Sequence, residues 1–317
     1  MKKFIYKIIF YCFFVICLIS SLLYYFYIKG GNDLPAPYFS NSISFNEKIE
    51  FLKEKDLLEI QTVVIGSSMS LNNVDSKVMS EYFGKTKYLN LASWGFKISD
   101  GKEYISNMLK YFPDLRLIII SANFMDISDK LQNITVDYTS IDRFLNNNLG
   151  IFNYFAWFNL KYYKDNYQLN NERKKRINTY QTLDFDENGG ALLDIDKNHI
   201  NKLRWKKDVT EFDISDRELK NLESMIELLS KNNIRFVLVI SPQRSSLIDS
   251  TKQLSIDRKI RKISSIVKKK NSFFINSYEK GLWDDSLYVD YAHFNLKGAR
   301  KFTEFIVDEL KKKLNER

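Results

Sequence analysis

Four short blocks carry side chains suited to proton or acyl chemistry, and the first three each close an apolar run of strand length. Gly66-Ser67-Ser68-Met69-Ser70 ends the run QTVVIG at 61–66, and Ala92-Ser93-Trp94-Gly95 ends KYLNLA at 87–92. Asn123 follows LRLIIISA at 115–122. Asp290-Tyr291-Ala292-His293-Phe294-Asn295-Leu296-Lys297-Gly298 comes after the last run, SFFIN at 272–276. A serine hydroxyl is a weak nucleophile until a neighbouring base takes its proton, and the first block offers three hydroxyls, on Ser67, Ser68 and Ser70. Metal ligands are scarce. The chain has two His, His199 and His293, and two Cys, Cys12 and Cys17.

The elements that hold these blocks follow from the apolar pattern. Runs at 61–66, 87–92, 115–122, 234–241 and 272–276 are continuous, not alternating, which predicts strands covered on both faces, as in parallel sheets. Helical patterns separate them. In 101–112, Tyr104, Ile105, Met108, Leu109 and Phe112 recur at i, i+3, i+4 spacing. The helix expected at 215–233 opens with Ser215 as cap and Glu218 in a capping-box arrangement. Further helices are expected at 257–268 and 296–314. The alternation predicts an α/β fold with a doubly wound parallel five-stranded sheet, whose ligands bind beyond the carboxyl ends of the strands. Residues 126–213 carry no clear strand. Ile151, Tyr154, Phe155, Phe158 and Tyr162 share one helical face there, with Trp157 beside them. Such a stripe predicts a helical insertion packing an aromatic core of its own; a lid or a membrane-facing element is the functional alternative.

Together, the four blocks resemble the SGNH/GDSL hydrolase superfamily. That family has Gly-x-Ser after the first strand, a Gly after the second, an Asn after the third and a C-terminal Asp-x-x-His. The resemblance covers roughly 61–314, with the aromatic stretch as an insertion, and implies a flavodoxin-like sheet. It implies Ser68 as nucleophile, His293 as its base and Asp290 as the residue that orients the imidazole. The oxyanion hole it implies is the Ser68 amide, the Gly95 amide and the Asn123 side chain. No metal or cofactor is implied. Two positions depart from the pattern: Ser67 stands where Asp is common, and Ser121-Ala122-Asn123-Phe124 replaces Gly-x-Asn-Asp.

The N-terminus adds a second theme. Residues 8–28 (IIFYCFFVICLISSLLYYFYI) are 21 uncharged positions, enough to span a bilayer as a helix. Lys2, Lys3 and Lys7 precede them and Lys29 follows, which predicts a cytoplasmic N-terminus. Aromatic residues occupy 24–27, where a cleavage site would need small ones, so an uncleaved single-pass anchor in the plasma (inner) membrane is expected. The expected organisation is an anchor at 1–29, a juxtamembrane tether and lead-in at 30–60 containing Pro35 and Pro37, and one α/β domain at 61–317 with its insertion at about 126–213. These four lysines supply four of the net +9. The rest is spread over both signs, which argues against a nucleic-acid partner and suits an anionic headgroup or polymer.

With an anchor, the chain resembles outward-facing members that act with membrane-bound O-acyltransferases in teichoic-acid D-alanylation and alginate acetylation. That implies an extracytoplasmic O-acyltransferase, acetyl being the expected group, acting on envelope polysaccharide with such an integral-membrane partner as acyl donor. A carbohydrate esterase or lipase-like hydrolase using water, and a non-catalytic glycan-binding or scaffold member, are the alternatives.

Overall fold

A computed structural model of the chain describes residues 2–30, 36–147, 156–174, 180–181, 183–268, 271–278 and 283–315. It opens with α1 (Lys2–Gly30). Within it, Lys2–Tyr25 contains an 18-residue window with a mean hydropathy of 2.3 and is long and apolar enough to cross a membrane. α2 (Ile43–Lys53) leads into β1 (Thr62–Ile65), followed by α3 (Ser68–Asn73), α4 (Ser76–Phe83), β2 (Tyr88–Asn90), α5 (Ile98–Met108) and β3 (Leu117–Ala122). The 126–213 stretch contains α6 (Tyr138–Asn146), α7 (Leu160–Lys174) and α8 (Lys202–Trp205). α9 (Asp216–Lys231), β4 (Arg235–Ile240), α10 (Ser250–Val267), β5 (Ser272–Asn276) and α11 (Leu296–Asn315) complete the chain.

All five strands expected from the apolar runs are present, within two residues at each end. They form one parallel sheet in the order β2-β1-β3-β4-β5. This is the doubly wound order with its switch point between β1 and β3. The register explains why continuous runs were needed. Val63 pairs with Ile118 and Ile118 with Phe236, while Val64 pairs with Ile119 and Ile119 with Val237. Successive residues point to opposite faces, so each strand feeds two cores. Val63, Ile118 and Phe236 pack with Ile49 of α2, Ile105 of α5, Met225 of α9 and Ile263 of α10. Val64, Ile119 and Val237 pack with Met79 of α4 and with Phe302, Ile306 and Leu310 of α11.

Two expectations need correction. The described part of the insertion packs only partly on itself, where Leu193 and Ile195 cluster with Tyr180, Ile200 and Val289. Ile141 and Phe144 of α6 join the larger sheet core, with Trp157 against Phe39 and Phe144. Leu183 and Ala191 pack on Leu71 and Ala92, and Val209 packs on Met69 and Tyr291. Of the expected stripe, Ile151, Tyr154 and Phe155 lie outside the described residues. The second correction concerns Glu218. Ser215 does cap α9, accepting from the Glu218 amide at 3.3 Å. The Glu218 carboxylate does not complete a capping box; it accepts from the Ser99 amide at 2.8 Å and pairs with Lys97 at 3.2 Å. Both side chains have no exposed surface, and a buried ammonium draws the nearest carboxylate because neither tolerates the apolar interior alone.

This pair joins the N-terminus of α5 to α9. Arg217 also reaches Glu218 at 3.8 Å, so the two partners are not equivalent. Glu218→Ala strands Lys97 and is expected to cost about 3–5 kcal/mol of unfolding free energy. Lys97→Ala, which leaves Arg217 in place, is expected to cost less. Denaturant unfolding of both variants beside wild type checks the order.

Candidate active site

Gly66 ends β1 with φ +125, and a Cβ there would lie 2.7 Å from the Ser70 hydroxyl and 3.3 Å from Ile120. Only glycine fits both the left-handed turn and the close approach. The turn launches α3 and separates the three hydroxyls. Ser67 caps α3, accepting from the Met69 amide at 3.2 Å and donating to the Asp126 carboxylate at 2.8 Å. Ser70 turns inward. Its oxygen lies 2.7 Å from the Ile65 carbonyl and 2.9 Å from the Ser121 carbonyl, and accepts the Ser121 amide at 2.9 Å. Ser68, at the first position of α3, is half-buried, and its Oγ lies 2.9 Å from His293 Nε2.

His293 is held by Asp290. The ring Nδ1 lies 2.9 Å from Oδ2 and 3.0 Å from Oδ1, and the His293 and Ala292 amides both donate to Oδ1, at 2.8 and 2.9 Å. A carboxylate at Nδ1 favours the tautomer with its proton there, leaving Nε2 free to accept from the Ser68 hydroxyl. Asp290 has no exposed side-chain surface. Burial alone would raise its carboxyl; the charge and hydrogen bond of His293, the Arg204 guanidinium and the Ala292 amide outweigh it and hold the group at about 2. Asn73, at the end of α3, ties the histidine segment down. Its Nδ2 donates to the Ala292 carbonyl at 2.9 Å and to the Ser241 hydroxyl at 2.9 Å, and its Oδ1 accepts the Phe294 amide at 2.9 Å. Asn295 then caps α11, its Oδ1 accepting from the Gly298 amide at 2.9 Å.

The other two expected residues sit on neighbouring strand ends. Asn123 follows β3 and is buried. Its Oδ1 accepts from the Met125 and Asp126 amides at 2.9 and 3.2 Å, while its Nδ2 has no hydrogen-bond partner among the described residues. A buried donor left without a partner carries a desolvation cost of about 1–3 kcal/mol. Gly95, after β2, has φ +72, and a Cβ built there would meet nothing within 4 Å. The structure brings Ser68, His293 and Asp290 into one hydrogen-bonded chain; Gly95 makes no bond to it.

Three contributing residues were not anticipated. Asn73 had a faint signal, a polar residue five positions after Ser68. Asp126 had a clearer one, because Asn123-x-x-Asp126 is a capping box in its own right: the Asn123 amide donates to Asp126 Oδ2 at 2.9 Å. Arg204, whose Nε lies 3.0 Å from Asp290 Oδ2, had none.

Burial pushes the Asp126 carboxyl up to about 7, although the Asn123 amide and the Ser67 hydroxyl favour its charged form. An unfolded aspartate titrates near ~3.9. Between about pH 4 and 7, the folded protein therefore holds a proton that the unfolded chain has released, and Asp126 lowers stability as pH rises through that window. Asp126→Asn keeps an oxygen to accept both hydrogen bonds and removes the ionisation. Its stability relative to wild type is expected to rise between pH 4 and 8, with little difference at the acid end; equilibrium unfolding at both pH values checks the slope.

No protein-family model matches the chain, and no curated protein matches it. Several solved structures are similar to it. A GDSL-like lipase from Bacteroides thetaiotaomicron is 14% identical with a TM-score of 0.40, over 83% of this chain and 94% of that one. An acetylxylan esterase from Geobacillus stearothermophilus is 12% identical with a TM-score of 0.40, over 80% and 94%. The catalytic domain of the Streptococcus pneumoniae peptidoglycan O-acetyltransferase A is 12% identical with a TM-score of 0.36, over 81% and 96%. Likenesses this distant carry no argument about activity, which rests on this chain's own geometry. In that geometry, the four blocks of the SGNH/GDSL pattern sit at the carboxyl ends of β1, β2 and β3 and in the segment beyond β5 that returns to them.

Proposed function

We propose that the chain is an SGNH-type serine esterase or acyltransferase, and more specifically an extracytoplasmic O-acyltransferase, acetyl being the expected group, that modifies envelope polysaccharide. The observation that carries the serine chemistry is the Ser68 Oγ to His293 Nε2 contact of 2.9 Å, backed by Asp290. The orphaned Nδ2 of Asn123 supports a working site over a degraded one. The apolar N-terminal helix supports the extracytoplasmic, membrane-anchored reading.

In this reading, His293 Nε2 takes the Ser68 proton as Oγ bonds to the acyl carbon of the donor. The tetrahedral oxyanion is met by Asn123 Nδ2 and by the Ser68 and Gly95 amides. The donor's leaving oxygen departs with the proton from His293, leaving Ser68 acylated. A sugar hydroxyl then enters, His293 takes its proton, its oxygen bonds to the acyl carbon, and the Ser68 bond breaks as the proton returns to Oγ. Asp290 stays ionised and stabilises the imidazolium in both halves. A membrane-bound O-acyltransferase is the proposed source of the acyl donor.

Two measurements test this. A fluorophosphonate probe is expected to label wild type and not Ser68→Ala; equal labelling would place the nucleophile elsewhere. Asn123→Ala is expected to lower turnover of an activated acetyl ester about 10²–10³-fold. Adding oligosaccharide to that assay should divert acetyl from free acetate to the sugar, and release of acetate alone would make the protein a hydrolase.

A further inference from the structure

The 126–213 stretch reaches the Ser68 site through one turn of helix. Asn201 caps α8, its Oδ1 accepting from the Leu203 and Arg204 amides at 3.0 and 3.1 Å. From that turn, Arg204 Nε reaches Asp290 Oδ2 at 3.0 Å, across 86 positions of sequence. The guanidinium lies 4.0 Å from the centroid of the Tyr180 ring, and the Tyr180 hydroxyl donates to the Val289 carbonyl. The next residue, Trp205, packs its ring 3.6 Å from the Arg244 guanidinium, and the Arg244 amide donates to the Tyr291 carbonyl at 3.0 Å. Residues 289–291 are thus gripped from the insertion side by Tyr180 and Arg204, and from the sheet side by the segment after β4.

Arg204 differs from the other partners of Asp290. The Ala292 and His293 amides and the imidazole come from the same short segment. They would accompany the carboxylate if it rotated or shifted. Arg204 comes from another part of the chain and supplies a permanent cation to Oδ2. Its planar fork is locked over an aromatic ring, so the anchoring has direction as well as charge.

We propose that Arg204 is a positioning residue for the Ser68 chemistry, holding the Asp290 carboxylate in the orientation that serves His293 and balancing its charge; this rests on the reading of Ser68 as nucleophile. The surrounding titratable groups are Tyr180 from the insertion, Lys207 after α8 with its ammonium 5.1 Å from the centroid of the Tyr291 ring, Arg244 after β4, Asp285, Tyr288 and Tyr291 from the C-terminal segment, and Asp126 after β3. Arg244 is matched by Asp285 at 3.6 Å. Among the described residues, Arg204 is therefore the cation outside the histidine segment that bonds the Asp290 carboxylate. Without it the site gains a net negative charge, the imidazolium becomes easier to form, and the neutral base is populated only at higher pH.

The test measures pH–rate profiles of p-nitrophenyl acetate hydrolysis by the full chain in detergent, for wild type, Arg204→Ala and Arg204→Lys. Arg204→Ala should lower kcat/KM roughly 10- to 100-fold and move the acid limb upward by about half a pH unit or more. Arg204→Lys should restore the limb and only part of the rate, because an ammonium keeps the charge but not the stacked fork. An acid limb that stays in place in Arg204→Ala overturns the proposal. If Arg204→Ala does not fold, Arg204→Gln is followed by proton NMR of the downfield His293 Nδ1–H signal. A changed or broadened signal supports the proposal, and an unchanged one overturns it. If wild type hydrolyses the ester no faster than Ser68→Ala, the nucleophile assignment fails, and the same NMR comparison still decides whether Arg204 holds Asp290.

Discussion

One buried charge organises the site. The Asp290 carboxylate has no contact with water, and an ionised carboxylate in that position costs several kcal/mol unless it is paired and hydrogen-bonded. The Ala292 and His293 amides, the imidazole and the Arg204 guanidinium answer that requirement. The bonds that make the charge tolerable also fix the imidazole tautomer and aim Nε2 at Ser68. Stability of the C-terminal segment and geometry of the proposed reaction are therefore the same set of contacts. Asn73 extends them to the far side, since it holds both the 292 carbonyl and the 294 amide from the end of the helix that begins with Ser68.

The sheet is what allows partners 225 residues apart to meet. Parallel strands place all their carboxyl ends at one edge, and burial on both faces leaves little freedom of register, because a one-residue slip would exchange the two cores. At that edge, Ser70 bridges the ends of β1 and β3. The bridge holds Gly66 and Asn123 on adjacent strands at the switch point, where ligands enter doubly wound sheets. Asp126 adds a second bridge, taking a hydrogen bond from Ser67 after β1 and another from the Asn123 amide after β3. Ser67, a departure from the family pattern in sequence, is thus occupied by an acid supplied three residues beyond Asn123.

The sheet and most of its helices were legible because their signal is local. A continuous β-branched run such as LIIIS cannot sit on a half-exposed strand without wasting apolar surface, and an i, i+3, i+4 stripe marks one buried face. The capping Ser215 was legible for the same reason, since its bond spans three residues. The partner of Glu218 was not. A capping box and a buried ion pair begin from the same letters, and the choice lay with Lys97, more than a hundred positions away. In the insertion, an aromatic stripe indicates burial without saying against what; Trp157, beside that stripe, packs against Phe39 and Phe144.

The sequence by itself determined the materials of the site and their order along the chain. It placed small and polar blocks after apolar strands, with Asp290 and His293 three residues apart, because strand burial, turn chemistry and near-neighbour bonds depend on residues close in sequence. Only the tertiary structure decided which of three serine hydroxyls faces the imidazole. Ser67 and Ser70 are taken by Asp126 and by the β1–β3 junction, and that leaves Ser68. It also brought Asn73 and Arg204 to the histidine segment and left the Asn123 side-chain Nδ2 without a hydrogen-bond partner among the described residues. Those outcomes depend on the path of the chain between distant positions, which no local pattern of residues records.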